Sequence, residues 1–317
     1  MELGLEFSQV SLIPQYSDLV SRAEVSLETE LAFNSLLDTG QLGYFIRIPI
    51  LSAAMDTVTG LAMQKAMAEH GTLGIHHRYC SEVRIWQASQ GGAIAIAPSM
   101  SRNLLSSLDA QTIVVIDVAH GDNKKSLELA EYCVKRNLSV VSGNIVTAEA
   151  ARRYWEAGVR CFRVGIGGGS VCSTRTVAGV GVPQWTAIRD IREAFPDCGI
   201  ISDGGCKSSG DIVKALAIGA DAVILGRLLA DTEEALGERK VMALKMHKEF
   251  RGMASRSALE DAGKEVNVEG VSTWLPIGGT VKERLKELAS GMRAGFAYLG
   301  AKNITELRQK AQWVRVS

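Results

Sequence analysis

From residue 49 onward, short and continuously apolar runs recur along the chain: Pro49–Ala53, Thr72–His76, Ala93–Ala97, Thr112–Asp117, Ser139–Ser142, Cys161–Gly165, Gly199–Ser202 and Ala222–Leu225. Between most of them the apolar positions change to helical spacing, as in Leu61–Glu69, Lys124–Lys135, Ala148–Glu156, Gln184–Ala194 and Gly210–Ile218. Strands buried on both faces lose their polar alternation, and parallel strands need a helical crossover between them. The rhythm therefore predicts an α/β chain, a (β/α)8 TIM barrel, with an open doubly wound sheet as the alternative. Around Arg84–Arg102 the pattern is faintest. Before residue 49 only Phe7–Pro14 and Val25–Phe33 read as short strands, capping one end of the core. Residues 232–250 are charged and read as a helix or an excursion, 256–268 are polar and patternless, and Val281–Gly291 predicts a last amphipathic helix. No linker, low-complexity tract or further repeat divides the chain. We read 1–317 as a single barrel domain, with 1–48 as an N-terminal cap and 232–280 as a flap or excursion region.

Polar residues and glycines gather just after the strands: Met55-Asp56, His76-His77-Arg78, Asp117 to Gly121, Gly143-Asn144, Gly165 to Cys172, Asp203-Gly204-Gly205 and Gly226-Arg227. In a barrel these loops build the site. Four glycines (Gly165, Gly167, Gly168, Gly169) fall within five residues, and Cys172 and Thr174 follow them. Glycines let backbone N–H groups turn toward an anion. A cysteine on the same loop with a hydroxyl nearby suggests a thiol nucleophile with a proton relay; a small buried cysteine is the other reading. The glycines after the last two strands suit a phosphate, and Asp203 suits a ribose diol, although strand-to-helix turns use glycine anyway. Asp117 at a strand end can accept from a cofactor's ribose or carboxamide, and His120 can donate a proton; ordinary polar loop residues are the equal alternative. No GxGxxG follows the first strand, which argues against a Rossmann site. Met55 can lie against a flat base or fill the core. The backbone of Gly252-Met253-Ala254-Ser255 can read a purine edge and Glu269 can accept its N1 hydrogen, although alone both read as loop. His76 and His77 lack the carboxylate pattern of a metal triad and read as loop and packing residues.

Lysine plus arginine and aspartate plus glutamate both total 35, so nothing pulls the chain toward nucleic acid or anionic membrane. Hydrophobic residues at 46% support a large core. No apolar run is long enough to span a membrane, and MELGLEFSQV carries no signal-peptide pattern, so a soluble, cytoplasmic protein is expected. The six cysteines have no CxxC spacing and read as reduced, mostly packed thiols with no zinc site. Cys172 is the exception, and Cys206, after a glycine pair, is left open.

LIPQYSD, ILSAAMDTVT, IDVAHG, SGNIVT, GIGGGSVCSTRTVAGVGVPQ, ISDGGCKSSGDIVKALAIGADAVILG, FRGMAS and VEGV, in that order from about residue 7 to 315, resemble the IMP dehydrogenase/GMP reductase family. The resemblance implies the same barrel and a purine nucleoside monophosphate substrate. It implies a covalent adduct of Cys172 at purine C2, with Thr174 and Glu269 moving protons. Asp203 would bind ribose; Ser170, Gly204, Gly205, Gly226 and Arg227 the phosphate; Met55, Arg251, Gly252, Met253, Ala254 and Ser255 would line the base. Arg78, Asp117, Ala119, His120, Gly121, Asn144 and Arg163 would face a nicotinamide cofactor, and carbonyls of Gly167, Gly169 and Cys172 a potassium ion. A homotetramer is also implied.

Two features lean toward the reductase branch. His76 to Ala93 leaves no room for the regulatory CBS pair, and only 13 residues, without a tyrosine, separate Ser255 from Glu269. The expected reaction is then that of a GMP reductase, using NADPH or NADH to convert GMP to IMP and ammonia. Thr176-Val177-Ala178-Gly179-Val180, FRGM and SAAMDTVT are closer to the dehydrogenases. An IMP dehydrogenase without CBS domains and a catalytically silent purine-nucleotide sensor are the alternatives. Gly168 in place of the usual proline, Phe250 in place of a phosphate-binding tyrosine, and Arg227 depart from the family pattern.

Overall fold

A computed structural model describes residues 3–33, 43–110, 112–172, 174–253 and 271–316. Eight parallel strands close into a barrel: β1 (Ile50–Ser52), β2 (Leu73–His76), β3 (Ala93–Ile96), β4 (Ile113–Ile116), β5 (Ser139–Ile145), β6 (Cys161–Val164), β7 (Gly199–Asp203) and β8 (Ala222–Leu225). Each pairs with its neighbours in sequence, and β8 returns to β1 with Val223 opposite Ile50. The closed barrel, rather than the open sheet, is thus the fold. The crossover helices are α1 (Leu61–Glu69), α2 (Glu82–Ser89), α3 (Arg102–Ser107), α4 (Lys124–Lys135), α5 (Ala148–Glu156), α6 (Gln184–Ala194), α7 (Ser209–Ile218) and α8 (Val281–Tyr298).

The apolar runs divide by alternate residues into two cores. Ile94, Ile96, Val114, Ile116, Val140, Phe162, Val164, Ile200, Val223 and Leu225 face outward onto the helices. Leu51, Leu73, Ile75, Ala93, Ala95, Ile113, Val115, Val141, Cys161, Ile201, Ala222 and Ile224 fill the barrel interior. Both faces are dry, which is why the strands read as unbroken apolar runs. Truncating a filled interior position such as Ile201 to alanine costs about 2–5 kcal/mol.

Several helices begin where a side chain can cap them: Asn123 accepts from the Ser126 N–H, Thr147 from Ala150, Ser208 from Asp211 and Thr280 from Glu283. The helix expected to be the last, α8, continues past Gly291 to Tyr298, and a further helix, Ile304–Lys310, follows it. Gly291 and Gly295 do not end it. A Cβ on Gly291 would stand 2.2 Å from Ser209 Oγ, and one on Gly295 2.9 Å from a Val213 methyl. The two glycines let α8 lie flush on α7, a tertiary demand that local pattern does not carry.

The N-terminal cap closes the lower mouth. Strands Thr29–Leu31 and Tyr44–Ile46 pair antiparallel, and Leu31 and Ile46 join the interior core. Phe7–Gln9 is a 3-10 turn rather than the strand expected there, and Val10–Leu12 pairs antiparallel with Trp313–Arg315. Residues 232–250 are an excursion, not a helix. Arg239–Met242, Lys245–Arg251 and Ser272–Pro276 form a three-stranded antiparallel sheet. Buried Lys248 pins it, donating from Nζ to the carbonyls of Thr232 at 2.7 Å, Glu233 at 2.9 Å and Ala235.

Candidate active site

The strand period of two carries polar side chains inward at the top of the barrel. Asp117 follows Val115, Arg163 follows Cys161 and Asp203 follows Ile201, each two residues beyond an interior core position. They join there. Arg163, 8% exposed, donates from Nη1 to Asp117 Oδ1 at 2.8 Å and from Nε to Asp203 Oδ2 at 2.8 Å. Arg78 donates to Asp117 Oδ2 at 3.0 Å, and Asn144 Nδ2 to Asp203 Oδ2 at 2.7 Å. Burial opposes the Arg163 charge, but Asp203 and Asp117 outweigh it and hold its pKa above the ordinary arginine value. Two cations and two carboxylates thus make a neutral chain across the barrel mouth.

Asp203 also lines a cavity of about 370 Å³ between the loops after β1, β6, β7 and β8. The wall holds Met55, Ser170, Gly204, Gly205, Gly226 and Arg227, so the substrate candidates from four separate loops meet in one place. Backbones touch where the glycines fall. Gly165 has φ +146° and an added Cβ would stand 2.0 Å from the Asp203 carbonyl; Gly204 has φ +94° and would meet the Gly168 backbone at 2.9 Å. Gly205 N–H donates to the Gly168 carbonyl at 2.9 Å.

Cys172 stands at the rim, next to Val171 of the cavity wall, and is exposed. Its Sγ lies 3.2 Å from Thr174 Oγ1, and either can donate. Thr174 opens the short helix Thr174–Val177. The other thiols are packed. Burial pushes Cys133 and Cys198 up to about 12 and raises Cys80, Cys161 and Cys206 as well. Cys206, left open above, is therefore a protonated wall residue rather than a second nucleophile.

Gly252 donates to the Val271 carbonyl at 3.1 Å, and Val271 N–H to the Val171 carbonyl at 3.2 Å, which brings Gly252-Met253 beside the cysteine loop. Arg251 turns to Asp56 and does not line the cavity. Ala254, Ser255 and Glu269 lie outside the described residues. Ala119 and His120 are exposed at the mouth, and Gly121 N–H donates to the Asn144 carbonyl at 2.8 Å. Gly169's carbonyl accepts from Cys172 N–H at 3.0 Å, and Gly167 has φ +78° over Arg175.

The sequence reading missed Lys207 and Phe250 as wall residues. Lys207 had a signal in its place directly after the Gly204-Gly205-Cys206 turn; Phe250 had one in standing where the family has a phosphate-binding tyrosine, although its strand was not recognised. His76 and His77 are packing residues, as read, with rings stacked 5.0 Å apart. Burial and then the His76 ring push His77 down to about 4. With Cys80 their ligand atoms come within 4.8 Å of one another. The His76 ring bonds to the His77 carbonyl, and the Tyr79 N–H donates to His77 Nδ1.

A model of the IMP dehydrogenase / GMP reductase domain matches residues 4–90 and 86–317. The chain belongs to the IMP dehydrogenase/GMP reductase family. It is 34% identical over 390 aligned residues to inosine-5'-monophosphate dehydrogenase of Borreliella burgdorferi, covering 99% of this chain and 94% of that one. It is 32% identical over 380 residues to the Cryptosporidium parvum enzyme of the same name, covering 99% and 92%. With the Halalkalibacterium halodurans dehydrogenase the identity is 40% over 241 residues, 72% of this chain but only 50% of the relative. This family member thus spans nearly all of some relatives and about half of others. Among the described residues no helix is long and apolar enough to cross a membrane.

Proposed function

We propose that this family member oxidises a purine nucleoside monophosphate, IMP, at C2 to the 2-oxo nucleotide. The observation that carries the reading is Asp203, which belongs at once to the cavity wall beside Cys172 and to the Arg163–Asp117 chain. One carboxylate thereby adjoins both a glycine-walled pocket of about 370 Å³ and a polar mouth fit for a second ligand. The relatives reported above carry the dehydrogenase name, which puts this direction first.

A nicotinamide dinucleotide supplies the hydride acceptor when bound. Asp117, Asn144 and Arg163 would hold it, with Arg78, Ala119, His120 and Gly121 around them. The fit is chemical: Asn144 spends its N–H groups on the Gly165 carbonyl and Asp203, leaving its oxygen for a carboxamide or hydroxyl donor. In the substrate pocket, backbone N–H groups of Ser170, Gly204 and Gly226, with Arg227, bind the phosphate beside the Gly205 turn, and Asp203 binds the ribose. Met55 lies against the base and Gly252-Met253-Ala254-Ser255 along its edge. Cys172 sulfur bonds to C2 as its proton passes through the Thr174 hydroxyl to the ring nitrogen, which takes up the electron pair of the C2–N double bond. Loss of hydride from C2 restores the ring. Water then displaces sulfur, leaving oxygen on C2 and returning the thiol, with Thr174 and Glu269 carrying the protons. A potassium ion on the Gly167, Gly169 and Cys172 carbonyls is compatible with Gly169's bond to Cys172, since a carbonyl has a second lone pair. A homotetramer belongs to the same reading.

A second reading rests on the 13 residues between Ser255 and Glu269, which hold Arg256 but no tyrosine to activate water. A GMP reductase needs no such water. Its Cys172 adduct loses ammonia and accepts hydride from NADPH. Absorbance of the reduced nicotinamide separates the two. A rise with IMP and NAD establishes the dehydrogenase; a fall with GMP and NADPH, with ammonia released, establishes the reductase; silence in both leaves a nucleotide sensor.

A further inference from the structure

Two largely buried side chains next to the pocket take no part in the chemistry above. Asp56 follows Met55, which lines the cavity, and Arg251 follows Phe250, which lines it opposite. Met55 and Phe250 converge over Gly226, where an added Cβ would stand 3.2 Å from Met55 Sδ and 3.7 Å from Phe250 Cζ. Behind them Arg251 Nη2 donates to Asp56 Oδ2 at 2.6 Å and Nε to the same oxygen at 3.2 Å. The two side chains are only 12% and 13% exposed. Arg251 N–H also meets Thr57 Oγ1 at 3.4 Å, and its Nη1 lies 4.0 Å from Glu249. The loop after β1 is thus tied to the strand Lys245–Arg251 by a pair remote in sequence, at the point where that strand runs on into Gly252-Met253.

We infer that Asp56 and Arg251 are positioning residues that set the width of the base slot between Met55 and Gly252-Met253. The inference rests on the purine-nucleotide reading of the pocket. The pair touches no substrate. It holds two walls at one spacing, while the Ser170, Gly204 and Gly226 N–H groups assigned to the phosphate are not among its partners. Slot and phosphate end should therefore respond differently when the pair is broken, because a half-satisfied buried charge pulls its own loop out of place.

The test is calorimetric titration of the full chain with IMP and, separately, with ribose 5-phosphate, which has no base. Asp56→Asn is expected to weaken IMP binding about tenfold and leave ribose 5-phosphate within about twofold. In turnover the nucleotide KM should rise while kcat at saturation holds, and Asp56→Glu should recover most of the loss. IMP binding unchanged in Asp56→Asn, or both ligands weakened alike, overturns the inference. If that variant does not fold, Arg251→Lys, which keeps the charge but not the two-armed contact, carries the same comparison. A wild-type chain that binds neither ligand overturns the pocket reading itself and this inference with it, and is seen before any variant is made.

Discussion

Both ends of the barrel hold a largely buried ion network, built in opposite senses. At the lower end one acid is shared by two arginines: Asp221, 8% exposed, accepts from Arg192 Nη2 and Arg308 Nη2, both at 2.7 Å, and from the Ile200 N–H. At the upper end one arginine, Arg163, is shared by two acids. The lower arginines spend their other donors on backbone carbonyls, Arg192 on Pro196, Cys198 and Gly219 and Arg308 on Leu216 and Ala220. That network is closed and stitches loops together. The upper one has its spare valence on carboxylates, and acceptors facing a cavity are what ribose hydroxyls and amides bind. A buried ion pair is thus not in itself a sign of a site. What it leaves unspent, and toward what space, tells a fastener from a binding group.

That contrast can be broken or sharpened. The largest effect is expected at the rim of the upper end: Cys172→Ala should lower turnover by more than about a thousandfold with nucleotide binding retained. Calorimetry beside a turnover assay decides, and lost binding with retained turnover would refute the nucleophile. At the lower end, Asp221→Asn should cost about 3–5 kcal/mol in denaturant unfolding by leaving two arginines underpaired, with kcat unchanged in the folded fraction. Arg163→Lys should do the reverse, because a lysine cannot bridge both carboxylates: stability nearly constant, turnover down about a hundredfold. Equal stability losses at the two ends would erase the distinction. The smallest effect is in pH. His77 is held near 4 when folded, below its ordinary 6.5, so the unfolded chain binds the extra proton between those values. Stability should be full above about pH 6.5 and fall as acid approaches pH 4, by no more than about 3 kcal/mol, and His77→Gln should flatten the slope. A slope unchanged in that variant assigns the loss to other groups.

All eight strands were legible because two dry faces leave one signature in sequence, and the strand-end loops followed from where the apolar runs stop. The cysteine loop, Asp203 and Gly226 were legible because glycine and chemistry coincide there. What was hidden depends on partners far along the chain. Gly291 reads locally as a helix end, yet it marks the contact with Ser209. The strand Lys245–Arg251 is a charged run with a lysine buried inside it, against every local rule, and only three carbonyls from residues 232–235 explain Lys248. Missing that strand meant missing Phe250 as a wall and Arg251 as the partner of Asp56. Arg163 was named for the cofactor side, but its bond to Asp203, which links the two halves of the site, is a property of the closed barrel.

The pairing of Val10–Leu12 with Trp313–Arg315 has a consequence in time. Phe7, just ahead of Val10, lies beneath the glycine turn of the cavity, where an added Cβ on Gly205 would be 3.3 Å from its ring, and its carbonyl accepts from Lys214. Glu6 pairs with Arg175 of the cysteine loop. During synthesis these props emerge first, yet the strand that clamps them emerges about 300 residues later, at Trp313–Arg315. A growing chain can close much of its barrel while the floor under the cavity turn is still loose. Binding competence should therefore arrive abruptly once Trp313–Arg315 emerges, and a ribosome stalled short of residue 313 would carry a barrel without a working site.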